Sequence, residues 1–247
     1  MNEKERYLFD VQGFLVLKGV LSTQQLHAMN RAIDERQKTG EALRTGFLEW
    51  DDPTFRGLIA DPAVKPYLEE ILGRHYRLDH EYAIIHRRGA HGLDLHGGGT
   101  PYDPGQYYHV RGSRIYSGLT VVSYALTDIG PEDGGFCCIP GSHKASFAVP
   151  EEFEQYDEIG PTVHIPQQAG DVLIFTEALC HGTFPWQGAH ERRSLLYKYA
   201  PSMISWREHE RSPQLVQLLD AEQRKILDSP RSPDRYDDGH YNSEDWK

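Results

Sequence analysis

Short strand-like segments, separated by glycine and proline turns, fill the central part of this 247-residue chain. The segments are rich in β-branched and aromatic residues, and Gly134-Gly135 is one of the turns between them. They are His80–His86, Ile115–Thr127, Phe136–Ile139, Thr162–Ile165, Asp171–Phe175 and Ser194–Ala200. Many short strands at close intervals are typical of a β-sandwich or β-barrel rather than of alternating strands and helices. We therefore predict a mainly β fold.

Helical patterns flank the strand-rich region on both sides. The predicted helices are Thr23–Lys38, a region from Asp61 to Gly73, and Pro213–Leu227. Ser22 can N-cap the first of them, which follows a short apolar strand at residues 13–17. The charged tail after Ser229 is expected to be loosely held.

One domain accounts for the whole length. Jelly-roll and barrel domains often reach about 200–250 residues, so we expect a single domain over residues 1–247. Its core is predicted over about residues 13–201, including the N-terminal helices. Residues 202–247 are predicted to add a C-terminal helix and the tail.

Charge and cysteine content exclude several classes of function. There are 26 Lys and Arg residues against 37 Asp and Glu residues, a net charge of −11 without basic runs, which argues against nucleic acid and anionic membrane surfaces as partners. No apolar run approaches the length of about 20 residues that spans a bilayer, and the N-terminus lacks the apolar region of a signal peptide. The three cysteines show no CxxC spacing. We therefore expect a cytoplasmic protein with reduced thiols.

His181 and the arginines that follow it form the first group with chemical meaning. His181 comes after the turn and buried strand that begin at Gly170-Asp171, and Arg192-Arg193 opens a strand 11 residues later. An arginine that enters a barrel is costly to bury unless it meets a carboxylate. Its forked guanidinium suits a bidentate acid such as 2-oxoglutarate. The alternative is a surface histidine and an arginine in an ion pair at the rim.

His96 is the second candidate. It ends a strand and enters the glycine run Gly97-Gly98-Gly99, as a metal ligand at the mouth of a barrel would. Taken alone, this pattern favours an ordinary turn histidine beside glycines that serve the backbone.

The ordered series of motifs resembles the phytanoyl-CoA dioxygenase family of iron(II)- and 2-oxoglutarate-dependent oxygenases. The series is Leu126-Thr127-Asp128, Asp133-Gly134-Gly135, Pro140-Gly141-Ser142-His143-Lys144, the Gly170-Asp171 strand, His181 and Arg192. Each piece is weak alone, but their order is specific, and the resemblance covers roughly Gly13 to Pro201. It implies a double-stranded β-helix, that is, a cupin-like jelly roll with flanking helices. It also implies Fe(II), 2-oxoglutarate as co-substrate, and O2.

The resemblance assigns roles to residues at the metal. His181 resembles the distal iron ligand, and His96 resembles the first ligand of the family's His-x-Asp pair. His143 occupies a structural position of the family and is not a ligand.

A second set of roles concerns 2-oxoglutarate. Arg192 resembles the residue that pairs with the far carboxylate of 2-oxoglutarate, with Arg193 as the alternative if the register differs by one. Thr183 occupies the place of a small hydroxyl residue that helps to hold the same carboxylate.

The chain departs from the family where the carboxylate ligand should stand, because Gly98 takes the position of the aspartate. Asp94, two residues before His96, is our first candidate for a replacement, since a regular strand puts both on one face. Asp103 or His109 could instead reach in from the following loop. A halide could take the vacant place, as in iron halogenases with Gly or Ala there, or the site could have lost turnover.

We therefore predict an oxygenase that hydroxylates or otherwise oxidises a C–H bond of a small molecule. The alternatives are an iron and 2-oxoglutarate halogenase and a catalytically inactive jelly-roll binding protein. Four aromatic residues near the presumed mouth suggest an aromatic-lined substrate pocket, although such rings are also common in packing. They are Tyr102, Tyr107, Tyr108 and Trp186.

Overall fold

The computed structural model describes residues 1–40, 44–98, 103–150, 153, 160–207 and 211–230. Its α-helices are α1 (Glu3–Gln12), α2 (Thr23–Thr39), α3 (Thr54–Gly57), α4 (Lys65–Leu72), α5 (Pro213–Leu218) and α6 (Ala221–Ile226). Its strands are β1 (Phe14–Leu17), β2 (Tyr76–His86), β3 (Leu93–His96), β4 (Tyr108–Arg111), β5 (Arg114–Ser117), β6 (Thr120–Ala125), β7 (Gly135–Cys138), β8 (Val163–His164), β9 (Val172–Thr176), β10 (His181–Phe184) and β11 (Arg192–Pro201).

The strands form two antiparallel sheets and a hairpin. The large sheet has the order β1-β9-β6-β11-β2, the small sheet has the order β3-β10-β7-β8, and β4 pairs with β5. Neighbouring strands are far apart in sequence, so the sheets assemble by long-range pairing. This architecture of antiparallel β-sheets with flanking helices confirms the mainly β prediction.

The two faces of β11 explain where the core lies. Leu195, Tyr197 and Tyr199 point to one face and join the larger apolar cluster, which the helices cover. Leu196 points to the opposite face and packs with Phe136 of the small sheet in a second apolar cluster. This alternation follows from the two-residue period of a strand. The two sheets therefore face each other across the second cluster.

Several boundaries differ from the sequence prediction. The segment Ile115–Thr127 is two strands, β5 and β6, because the chain turns at Gly118, where a Cβ would lie 2.1 Å from the carbonyl oxygen of Gly105. The predicted helix Pro213–Leu227 is two short helices, and Asp220 N-caps the second of them. Helix α1 was not predicted. The N-cap prediction at Ser22 is confirmed, since its side chain accepts a hydrogen bond from the backbone of Gln25.

Among the described residues, no helix has both the length and the apolar character that crossing a bilayer requires.

Candidate functional site

The antiparallel pairing of β3 with β10 brings the two candidate histidines together. His96 and His181 are direct partners in the ladder, and their ring centroids are 4.3 Å apart. Residues that are 85 positions apart in the sequence thus become neighbours.

The hydrogen bonds of both rings leave the Nε2 atoms free to bind a metal. His181 Nδ1 is 2.7 Å from the carbonyl oxygen of Leu179, and His96 Nδ1 is 2.9 Å from that of Asp94. A carbonyl oxygen only accepts, so each Nδ1–H donates, and the tautomer that this bond selects has its lone pair on Nε2. Backbone bonds of this kind fix the tautomer and orientation of metal-ligating histidines.

Burial keeps His181 neutral. Its side chain lies between the sheets, and desolvation lowers its pKa to about 4 even though the Glu177 carboxylate opposes the shift. The ring is therefore unprotonated at neutral pH, as a metal ligand must be. His96 lies on the exposed side of the pair.

Arg192 is a buried cation that has no acidic partner among the residues the structure describes. Its side chain is only 3% exposed, and neither Nε nor Nη1 has a hydrogen-bond partner in the structure. Desolvation lowers the pKa of Arg192 to about 10, which leaves it charged at neutral pH. A buried unpaired guanidinium is strongly unfavourable. Its presence therefore indicates an anionic ligand.

The guanidinium of Arg192 reaches from the large sheet to the small one. A Cβ built on Gly135 would lie 3.6 Å from Arg192 Nε, and Gly135 pairs with Phe184 on β10. The cation thus lies at the end of β10, beyond Thr183.

Arg193 points the opposite way. Its guanidinium pairs with Asp34 at 2.6 Å and with Glu191 at 2.7 Å, and it also bonds Asn30 of α2. Arg193 therefore fastens α2 to the sheet, and Arg192 is the inward residue of the two.

Two hydroxyl side chains share the interior with Arg192. Thr183 follows His181 by two residues on β10 and is buried. Ser194 follows Arg192 by two residues and so shares its face of β11, and its buried Oγ lacks a hydrogen-bond partner. Sequence reasoning missed Ser194, although the two-residue spacing from Arg192 could have indicated it.

Thr183 also lines a cavity of about 470 Å³ that runs along β2, the edge strand of the large sheet, and reaches the small sheet. Other residues around it include Arg44, Tyr82, Ile84, His86, His91 and Leu93. The Nδ1 atom of His86 is likewise buried without a hydrogen-bond partner, and His86 is the ladder partner of Arg192. The cavity therefore reaches the strand position that pairs with Arg192.

Glu177 is a further site residue that sequence reasoning missed. It is 3% exposed and immediately follows β9, and its Oε1 lies 2.7 Å from Lys198 Nζ and 4.0 Å from His181 Nε2. Burial alone would raise the pKa of Glu177, but the neighbouring Lys198 ammonium lowers it below its ordinary value. The carboxylate is therefore ionised beside the histidine pair. The spacing Glu177-x-x-x-His181 is the sequence feature that could have indicated Glu177 as a candidate.

The side chain of Asp94 does not contact the histidine pair. It is exposed, and it contacts His96 through its backbone oxygen. Leu93 pairs with Thr183, and His96 pairs with His181. Three steps along β3 therefore correspond to two steps along β10. This bulge interrupts the alternation on which the prediction for Asp94 depended.

Asp103 and His109, the other two candidates for the missing ligand, make contacts away from the histidine pair. Asp103 accepts a hydrogen bond from the backbone of Gly105 in its own turn. His109 lies on the exposed side of the hairpin and stacks on Tyr116 at 5.0 Å. In the part of the chain that the structure describes, no group of three His, Cys, Asp or Glu side chains is already placed to hold a metal ion.

The aromatic residues predicted to contact substrate separate into different environments. The prediction that Trp186 contacts substrate does not fit its position, because its side chain is completely buried. Its indole N–H donates to the carbonyl oxygen of His190, so it is a packing residue. Tyr107 lines a second cavity of about 200 Å³, together with Arg114 and Tyr116. Tyr102 lies outside the described residues.

Tyr108 and His143 fasten α1 to the rest of the protein. The hydroxyl of Tyr108 donates to Asp10 Oδ1, and its ring lies edge-on against His143 with centroids 4.6 Å apart. His143 Nε2 donates to the carbonyl oxygen of Asp10. Both residues therefore have structural contacts, as expected for His143 but not for Tyr108.

The side chains at this centre fit a metal ion with an anionic co-substrate. Two imidazole rings lie side by side with centroids 4.3 Å apart, a carboxylate lies 4.0 Å from one of them, and a buried guanidinium has no acidic partner among the described residues. Histidine nitrogens and a carboxylate are the donors of mononuclear non-haem iron sites.

Comparison with known proteins identifies the family. The sequence model of the family described as Phytanoyl-CoA dioxygenase (PhyH) matches residues 9–194, and the chain belongs to this family. The resemblance inferred from the motifs is thus confirmed. The chain is a 2-oxoglutarate-dependent non-haem iron enzyme, and its cofactors are Fe(II), 2-oxoglutarate and O2.

Solved structures of HygX from Streptomyces hygroscopicus are similar to this chain. HygX with nickel and 2-oxoglutarate bound is 26% identical with a TM-score of 0.74, over 87% of this chain and 94% of HygX. The iron-bound structure is 25% identical with a TM-score of 0.73, over 87% and 93%. The structure with nickel, 2-oxoglutarate and hygromycin B is 24% identical with a TM-score of 0.73, over 84% and 90%. No curated protein matches the sequence.

Proposed function

We propose that this enzyme oxidises a C–H bond of a small molecule by hydroxylation or a related oxygenation, with the metal on His96 and His181 and 2-oxoglutarate on Arg192. The observation that carries the proposal is the buried Arg192 guanidinium, for which the described part of the chain supplies no acidic partner. The finer fold that we propose is a jelly roll whose two sheets enclose this site.

When bound, iron with 2-oxoglutarate and O2 would supply the oxidant: one oxygen atom of O2 would end in succinate as 2-oxoglutarate loses CO2, and the other in the oxidised product. The protein binds and orients the reactants. Arg192 pairs with the far carboxylate of 2-oxoglutarate through two parallel hydrogen bonds, and Thr183 and Ser194 add hydroxyl donors beside it. The apolar walls between the sheets exclude water, which strengthens each of these interactions.

The substrate is a small molecule that approaches along the cavity lined by Tyr82 and His91. Support for this class comes from HygX, which binds hygromycin B in one of its structures. The cavity is large enough for part of such a molecule.

Halogenation is the second candidate, since Gly98 removes the family's carboxylate. Gly97 and Gly98 have φ angles of 84° and 79°, and L-residues with a side chain rarely adopt two such conformations in succession. The loop is therefore rebuilt, rather than a regular loop that has lost one side chain. We favour oxygenation for this reason.

Anaerobic absorption spectroscopy tests the proposal. Adding Fe(II) and 2-oxoglutarate should produce the weak visible charge-transfer band of a chelate, and admission of O2 should release succinate. H181A should lose the band, whereas H143Q, which keeps a donor for the carbonyl oxygen of Asp10, should retain it. Absence of both band and succinate in the wild type would contradict the proposal. The band without succinate would indicate a binding protein.

A further inference from the structure

We propose that Glu177 supplies the carboxylate ligand of the metal, in place of the aspartate that Gly98 replaces. This inference rests on the proposed function, because it assumes a metal on His96 and His181.

The glycine loop lies directly on the turn that carries Glu177. A Cβ built on Gly97 would lie 2.7 Å from the carbonyl oxygens of Glu177 and Leu179, and one on Gly98 would lie 3.4 Å from Cβ of Cys180. The loop that holds the carboxylate in the family is here pressed against residues 177–180. Glu177 therefore occupies the neighbourhood from which the aspartate is missing.

The separation between Glu177 and His181 suits a shared cation. Oε1 and Nε2 are 4.0 Å apart, too far for a hydrogen bond. Because Nδ1 of His181 carries the ring proton, Nε2 presents a lone pair to an ionised oxygen. Two electron-rich atoms facing each other are stabilised by a cation between them. Two neighbouring ligands at right angles on one ion, with bonds of about 2.0–2.2 Å, lie about 3 Å apart, so the carboxylate needs to move by about 1 Å toward the ring when a metal binds.

Lys198 provides the positive charge that a buried Glu177 needs before metal binds. Its Nζ lies 2.7 Å from Oε1 and 5.5 Å from the centroid of the Tyr82 ring. An ionised carboxylate that is 3% exposed would be costly without such a partner. Lys198 is thus the counter-ion that keeps Glu177 ionised until a metal binds.

Asp94 is the competing ligand and provides a matched control. It is exposed, and the bulge in β3 interrupts the alternation that would align its side chain with His96. E177Q and D94N make the same change, from carboxylate to amide, at the two positions.

Anaerobic calorimetric titration of the full chain with Ni(II), and separately with Fe(II), distinguishes the two residues. We expect E177Q to weaken metal binding at least about tenfold, the lower end for loss of a group that supports a metal site, and D94N to change it less than about twofold. Unchanged affinity in E177Q, or the larger loss in D94N, would overturn the inference.

K198M gives a second test that stays informative even where E177Q does not fold. Without Lys198, Glu177 lacks its cation in the metal-free protein, so Ni(II) should raise the melting temperature of K198M by more than it raises that of the wild type. An equal rise would contradict metal ligation by Glu177.

The two proposals fail in distinguishable ways. A wild-type protein that binds neither metal nor 2-oxoglutarate contradicts the proposed function. A wild type that binds both and releases succinate, with an E177Q variant of unchanged metal affinity, contradicts only the role of Glu177.

Discussion

Two adjacent arginines at the start of β11 show how strongly one residue of register affects the chemistry. Arg192 points between the sheets without an acidic partner, while Arg193 is held outside by Asp34 and Glu191. The sequence could not decide which of the two arginines points inward. Alternation along a strand determines only that neighbouring side chains point to opposite faces.

The residue scale yields a prediction for 2-oxoglutarate binding. R192A should weaken the binding of 2-oxoglutarate to the metal-loaded enzyme by about 2–4 kcal/mol, the scale for loss of one partner of a buried charge pair. R193A is the matched control and should have a much smaller effect, because its ion pairs lie on the other side of the sheet. Calorimetry measures both affinities, and the reverse order would show that Arg193 is the inward residue.

At the scale of elements, the parts that local sequence determines were predictable. Ser22 as an N-cap and the strand-rich centre both followed from nearest-neighbour patterns. The bulge in β3 and the break at Gly118 depend on contacts with distant backbone, Thr183 in one case and Gly105 in the other. The family motifs led to His96, His181 and Arg192, but Glu177 departs from those motifs and was missed.

The glycine loop provides a prediction at this scale. G97A places a methyl group 2.7 Å from two backbone oxygens at a φ of 84°, so we expect a loss of about 2–4 kcal/mol in the free energy of unfolding. The control is G112A, where φ is 56° and no heavy atom lies within 4 Å, and which should lose only about 1–2 kcal/mol. Urea denaturation measures both. Equal losses would show that the loop does not pack on the Glu177 turn.

At the scale of the whole molecule, the site is assembled between two sheets. In the proposed site, the small sheet contributes the histidines, the large sheet contributes Arg192, and the turn after β9 contributes Glu177. Such a site exists only when the sheets are correctly packed. The stability of the fold and the competence of the site are therefore linked.

His143 makes the stability of the metal-free protein depend on pH. Burial lowers its pKa from the ordinary 6.5 to about 4, so between these values the unfolded chain binds a proton that the folded chain does not. Stability is therefore fully present above pH 6.5 and falls as the pH drops toward 4, by roughly 3 kcal/mol at most. H143Q should lose this part of the dependence in urea denaturation at pH 4–7. An H143Q profile parallel to that of the wild type would contradict the assignment.

The most direct test of the account is a crystal structure of the protein prepared anaerobically with Fe(II), 2-oxoglutarate and chloride. We predict a metal bound to Nε2 of His96 and of His181 and to the Glu177 carboxylate, with the far carboxylate of 2-oxoglutarate on Arg192. 2-Oxoglutarate bound away from Arg192 would contradict the central claim. A chloride on the metal, with Glu177 still paired to Lys198, would contradict the role of Glu177 and favour a halogenase.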